Sequence, residues 1–215
     1  PSKNMKPLIV ANWKMNPPTL EEAKIIFDQI KNTGAVICPP FIYLSALKAN
    51  GAQDCFWENP PTGRGVYTGE ISPLMLKNLG VEYVILGHSE RRKYQKETDA
   101  VIEKKLKAAS AAGLKPILCV DKLSQIPKDI NSYYAIAYEP PFAIGTGKGY
   151  PIGMAKKMRL AIKKIVGGKA PIFYGASVNS QNASGYIKKA GFDGLVVGGA
   201  SLKPQEFIDI VNNAC

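Results

Sequence analysis

The stretch that decides the fold is "VILGHSERRKYQ", residues 84–95, where a β-branched apolar run stops at Gly87 and His88, Ser89, Glu90, Arg91 and Arg92 follow at once. His88 is the single histidine of the 215-residue chain. A buried strand that ends abruptly in polar, titratable residues is how parallel sheets present side chains at one rim. The same break recurs along the sequence. Short apolar runs read as strands at 8–12, 35–38, 51–55 (the weakest), 81–87, 115–120, 134–139, 171–175 and 194–199.

Between these runs the apolar spacing turns helical. Leu20, Ala23, Phe27 and Ile30 share one face, as do Ile102, Leu106 and Ala109, then Met154, Met158, Ala161 and Ile165, and last Phe207, Ile210 and Ala214. Thr98 or Asp99 suits a cap for the second of these helices, and Pro204 suits the first turn of the last. Alternating strands and helices predict a parallel sheet, either a closed (β/α)8 barrel or an open doubly wound sheet. Polar residues gather after the strand ends: Asn12 and Lys14, His88 and Glu90, Glu139, Ser177, Gly198 and Gly199. A barrel collects such ends around one mouth, whereas an open sheet spreads them along an edge. The G-x-G-x-x-G turn of a dinucleotide site does not follow the first run, and "GTGKG" at 145–149 fails the spacing of a phosphate loop.

Bulk properties narrow the function. A charge of +11, from 28 basic and 17 acidic residues, favours an anionic partner. The lysines of "IEKKLKAA" and "AKKMRLAIKKIVGGK" fall at helical spacings beside apolar positions, as on solvated helix faces, and no nucleic-acid motif accompanies them. The expected partner is therefore a small anion, with no nucleic acid and no membrane. No run is apolar enough to span a bilayer and no secretory segment leads the chain, so a cytoplasmic location is expected. Cys38, Cys55, Cys119 and Cys215 lack paired spacing and histidines to complete a metal site, which predicts buried free thiols and no metal. Pro1 to Asn4 precede Met5 and read as an addition, leaving 5–215 as a single domain.

Six motifs, in order and at the strand ends, carry a resemblance: "ANWKMN" (11–16), "YTGEIS" (67–72), "LGHSERR" (86–92), "AYEPPFAIGTGK" (137–148), "YGASV" (174–178) and "DGLVVGGASL" (193–202). The chain resembles the triosephosphate isomerase family from Leu8 nearly to its C-terminus. The resemblance implies a (β/α)8 TIM barrel and the cofactor-free interconversion of dihydroxyacetone phosphate and D-glyceraldehyde 3-phosphate, a step of glycolysis and gluconeogenesis. Glu139 matches the family's base and His88 its electrophile, a carboxylate with a neutral histidine for which the family is itself the type example. Asn12 and Lys14 match the pair that orients the substrate. Gly145, Ser177, Gly198 and Gly199 match the phosphate positions, and Glu90, Ile144, Tyr174 and Val196 supporting ones.

The resemblance also implies a water-excluding lid at 140–148, received by Tyr174 and Ser177. It implies a homodimer in which Thr68 and Glu70 cross to the partner, Glu70 facing the partner's Arg91. Several positions depart from the family. Only 20 residues separate Cys119 from Glu139, so the barrel is shortened, with the helix after strand 5 reduced or missing. The loop 53–68 is longer than usual. Phe142 stands for the usual tryptophan and Asp121 for the usual glutamate, removing an indole-to-carboxylate latch on the open lid. Ala176 and Val196 replace glycine and leucine near the phosphate and the base. A different phosphate-binding barrel enzyme, or a barrel without catalysis, remain the alternative readings.

Overall fold

The computed structural model describes residues 6–58, 65–140 and 149–215. Eight strands appear where the apolar runs stand: β1 (Leu8–Asn12), β2 (Val36–Cys38), β3 (Gly51–Ala52), β4 (Tyr83–Leu86), β5 (Lys115–Val120), β6 (Ala135–Tyr138), β7 (Ile172–Tyr174) and β8 (Gly194–Val197). All pairings are parallel, in the order β2-β1-β8-β7-β6-β5-β4-β3. Because the first strand pairs with the last as well as with the second, the sheet curls into a nearly closed barrel, and the open sheet is excluded. The α-helices α1 (Leu20–Ile30), α2 (Phe41–Leu47), α3 (Pro73–Asn78), α4 (Ser89–Tyr94), α5 (Asp99–Ala111), α6 (Ile152–Val166) and α7 (Pro204–Ala214) pack outside it. None of the described helices is long and apolar enough to cross a membrane.

Local chemistry starts these helices. Thr19 Oγ1 accepts from the Glu22 N–H at 3.2 Å and Thr98 Oγ1 from the Val101 N–H at 3.3 Å, so two threonines cap α1 and α5. Pro204 opens α7 as expected. Between β5 and β6 there is no α-helix, only short 3-10 turns at Leu123–Gln125 and Ile130–Ser132. The face expected for α6 is corrected: Met154 and Ile165 are each 47% exposed, and the buried face carries Ala155, Ile162 and Val166. That face is one residue round the helix, where small and branched side chains fit against the barrel. Cys38, Cys55 and Cys119 are buried free thiols, whereas Cys215 is exposed at the chain end.

Alternation divides the core in two. One set points down the barrel axis: Val10, Val36, Cys38, Ile85, Ile117, Cys119, Ala135, Ala137, Phe173 and Val196. The intervening residues, among them Ile9, Ala11, Val84, Leu118, Ile136 and Leu195, face the helices.

The seam lies between β2 and β3, where no ladder joins the strands among the described residues. Side-chain amides bridge it instead. Asn50 Oδ1 accepts from the Ile37 N–H at 3.0 Å, and Gln53 Nε2 donates to the Cys38 carbonyl at 2.9 Å. The strands approach so closely that a Cβ on Gly51 would stand 2.4 Å from Cys38 Sγ and 2.6 Å from Val36 Cγ1. The weak strand read at 51–55 therefore shrinks to two residues whose identity is set by this contact. Gly51→Ala is expected to destabilise the fold by about 1–3 kcal/mol in urea unfolding, since overpacked buried sites typically cost that much; a loss under about 0.5 kcal/mol would mean the seam is loose.

Candidate active site

Extending the inward alternation past the strand ends builds the site. Two residues beyond Val10 stands Asn12, two beyond Ala137 stands Glu139, and two beyond Phe173 and Val196 stand Gly175 and Gly198. After β4 the chain turns at Gly87 with φ 71, a left-handed conformation suited to glycine, and delivers His88 to the same mouth. Asn12, His88 and Glu139 are 5%, 8% and 2% exposed. They line one cavity of about 450 Å³ together with Lys14, Ser177, Val196, Gly198 and Gly199.

Glu139 and His88 face each other. Glu139 Oε1 lies 3.2 Å from His88 Nε2, and Glu139 Oε2 accepts from the Ser89 N–H at 3.1 Å. The other ring nitrogen, His88 Nδ1, accepts from the Glu90 N–H at 3.2 Å. A nitrogen that accepts carries no proton, so this bond leaves the ring proton on Nε2, aimed at the carboxylate. Gly175 lies against both Val196 and Glu139, a Cβ there standing 3.3 Å from Val196 Cβ and 3.4 Å from Glu139 Cγ. Cys119 packs beside Glu139 with its thiol pushed up by burial and by that carboxylate, and so stays protonated.

Lys14 is held in an uncommon conformation, with φ 55. Its N–H donates to Asn12 Oδ1 at 3.1 Å and its carbonyl accepts from Gln53 Nε2 at 2.7 Å, fixing the turn from both sides. Lys14 Nζ pairs with Glu90 Oε1 at 2.5 Å. Such locally strained backbone, held by its surroundings, is typical of functional sites.

A family model described as "Triosephosphate isomerase" matches residues 7–214. The chain belongs to the triosephosphate isomerase family. It is 39% identical to the triosephosphate isomerase of Caldanaerobacter subterraneus subsp. tengcongensis over 249 positions, covering 96% of this chain and 99% of the relative. It is 40% identical to that of Dehalococcoides mccartyi over 252 positions, with 98% of each chain covered. For the enzyme of Dictyoglomus thermophilum the identity is 40% over 250 positions, covering 96% and 98%. Alignments of this length over a 215-residue chain mean that this member of the family is the shorter protein, in keeping with its helix-free β5–β6 link.

One side of the cavity is formed by the turn at Ser177, after β7, and by a 3-10 turn, Gly199–Leu202, after β8. Ser201 Oγ donates to the Gly198 carbonyl at 2.7 Å and braces that turn. Gly198 lies beside the Lys14 stem, a Cβ there standing 3.5 Å from Lys14 Cε. Lys203 and Asn179 also line the cavity, and sequence reasoning missed both, as it missed the Ser89 N–H and Gln53. Glu90 and Arg91 line a neighbouring cavity of about 460 Å³ instead, and Tyr174 lies behind the Ser177 turn. Gly145, Ile144 and Phe142 lie outside the described residues. Thr68 and Glu70 are exposed in the turn before α3.

Arg91 belongs to a buried cluster inside the chain. It reaches Asp54 Oδ2 at 2.9 Å and Glu97 Oε1 at 2.7 Å, while Lys105 Nζ reaches the same two carboxylates at 2.6 Å each. Two acids and two bases balance, yet burial pushes the Asp54 carboxyl up to about 6, against the lowering pull of Lys105 and Arg91. The folded state then holds a proton that the unfolded state has released between about pH 4 and 6, so the contribution of Asp54 to stability falls as pH rises through that window. In urea unfolding at fixed protein concentration, wild type minus Asp54→Asn should decline from pH 4 to 6 and then level; a difference that rises with pH would contradict this account.

Proposed function

We propose that this protein interconverts dihydroxyacetone phosphate and D-glyceraldehyde 3-phosphate through an enediolate, with Glu139 as base and His88 as neutral electrophile. The observation that carries the reading is the pairing of Glu139 with a histidine whose Nδ1 accepts from a main-chain N–H. Substrate carbon and carbonyl must enter between the two side chains, and 3.2 Å leaves no space for them. On binding, therefore, the carboxylate gives up its bonds to His88 and Ser89 and turns to the carbon-bound proton. It removes that proton as the electron pair moves to the carbonyl oxygen; the proton of the neighbouring hydroxyl then passes to that oxygen, and the carboxylate returns its proton to the former carbonyl carbon as the neighbouring oxygen becomes the new carbonyl. His88 Nε2–H, freed from Glu139, donates to the oxygen as negative charge develops. A ring kept neutral donates without surrendering its proton fully. Lys14, paired with Glu90, adds positive charge beside the oxyanion and the phosphate, and Asn12 fixes the Lys14 turn.

Phosphate is received by main-chain N–H groups at Ser177, Gly198 and Gly199. The match to the family adds Gly145, Ile144 and a lid at 140–148 that excludes water from the enediolate. Phe142 has no donor to offer Asp121, and we read this chain as dispensing with that latch. No cofactor is called for by this chemistry. Met15, next to Lys14, is 94% exposed and Val66, in the segment before α3, 97%, apolar surface that supports contact with a second copy of the chain. We read the assembly as a homodimer, with Thr68 and Glu70 reaching the partner, and the compartment as the cytoplasm.

Glu139→Gln should lower kcat by about 10²–10⁴-fold, the usual worth of a general base, with an unchanged fold; activity insensitive to this change would refute the mechanism. His88→Gln should lower kcat by about 10²–10³-fold, as for loss of one oxyanion donor. Sedimentation should give twice the 23.3 kDa chain mass; a monomer at full activity would refute the dimer.

A further inference from the structure

Behind the Ser177 turn three tyrosines share their hydrogen bonds. Tyr174 ends β7, and Tyr186 stands in a π-helical turn, Gly185–Lys189. Their rings stack with centroids 3.8 Å apart and planes 16° from parallel, and both side chains are buried. In that stack the two hydroxyls meet over a single residue, Tyr150. The Tyr150 N–H donates to Tyr174 Oη at 3.3 Å, and Tyr186 Oη–H donates to the Tyr150 carbonyl at 2.7 Å.

The two stacked phenols thus hold both main-chain groups of Tyr150, Tyr174 Oη accepting from the N–H and Tyr186 Oη–H donating to the carbonyl. Losing one member leaves buried polar groups unpaired.

The surroundings are shaped to admit the ring. A Cβ on Gly149 would stand 2.9 Å from Tyr186 Oη and 3.0 Å from Asn182 Nδ2, and Asn182 Nδ2 donates to the Ser177 carbonyl at 3.0 Å. A Cβ on Gly185 would stand 2.5 Å from Ile152 Cδ1, so the π turn lies directly on the start of α6. Glycine at 149 and at 185 therefore lets the chain press against the Ser177 turn from one side and against α6 from the other. Single π turns occur mostly where function constrains the chain.

We propose that Tyr186 is a positioning residue for the isomerisation: by holding the Tyr150 carbonyl while Tyr174 holds its N–H, it fixes Gly149 and Tyr150 against the Ser177 turn that receives the phosphate. This rests on the isomerase reading above and on Ser177 as a phosphate position. Removing the Tyr186 hydroxyl takes the donor from the Tyr150 carbonyl, and the single bond from the Tyr150 N–H to Tyr174 then holds the junction. The phosphate is gripped less firmly while the enediolate exists, and elimination of inorganic phosphate, which gives methylglyoxal, competes better.

Tyr186→Phe keeps the stacked ring and deletes only the hydroxyl. It should raise KM for glyceraldehyde 3-phosphate several-fold with a smaller fall in kcat, and raise the methylglyoxal formed per turnover several-fold. Tyr174→Phe removes the other bond to the same residue, so the double variant should lose less than the product of the two single losses. An unchanged KM and methylglyoxal fraction in Tyr186→Phe, or a double variant whose loss equals the product of the two, overturns the proposal. Should Tyr186→Phe not fold, Tyr174→Phe decides by the same two readouts. A wild type without isomerase activity would refute the function itself; an active wild type with an indifferent Tyr186→Phe would refute this inference alone.

Discussion

Alternation of side chains in a sheet that closes on itself is the constraint on which the rest of this protein depends. Once β1 pairs with both β2 and β8, every second side chain on every strand is forced onto one axis. Packing fills that axis with Val10, Ile85, Ile117, Phe173 and Val196, and where packing stops the same alternation continues into polar residues. Asn12 and Glu139 point into the mouth because Val10 and Ala137 point into the core. The strands themselves carry no chemistry; they place it.

The turn after β4 converts this placement into reactivity. Gly87 takes a left-handed conformation, His88 follows, and the Glu90 N–H reaches back to His88 Nδ1. The same short segment supplies the Ser89 N–H that holds Glu139 and the Glu90 carboxylate that holds Lys14. Glu139, His88 and Lys14 are thereby tied to one turn, and displacing it would disturb all three. Below it, the balanced cluster of Asp54, Arg91, Glu97 and Lys105 anchors the turn to β3 and α5. Unpaired buried charge is costly, so the cluster holds together as a unit.

Much of this was legible in the sequence because it is local. β-branched runs with breaks gave the strands, and the motifs around Asn12, His88, Glu139 and Ser177 gave the site. What escaped was non-local. β3 is set by the approach of Gly51 to Cys38, which no periodicity reveals, and Gln53 braces Lys14 across 39 positions. The buried face of α6 was misplaced by one residue because Met154 and Ile165 are apolar yet face outward, a choice made by the barrel surface and not by the helix. Lys203, Cys119 and the two tyrosines that hold Tyr150, Tyr174 and Tyr186, belong to the same class: each acts on a residue far along the chain, through geometry that the barrel creates.

The central claim is that the β4 turn presents His88 as a neutral ring with its proton on Nε2, facing Glu139. Nitrogen NMR of protein labelled at its single histidine tests this directly, since a one-bond coupling reports which ring nitrogen carries hydrogen. At neutral pH the account predicts a coupled Nε2 and an uncoupled, acceptor-type Nδ1. Protons on both nitrogens, or on Nδ1 alone, would contradict it.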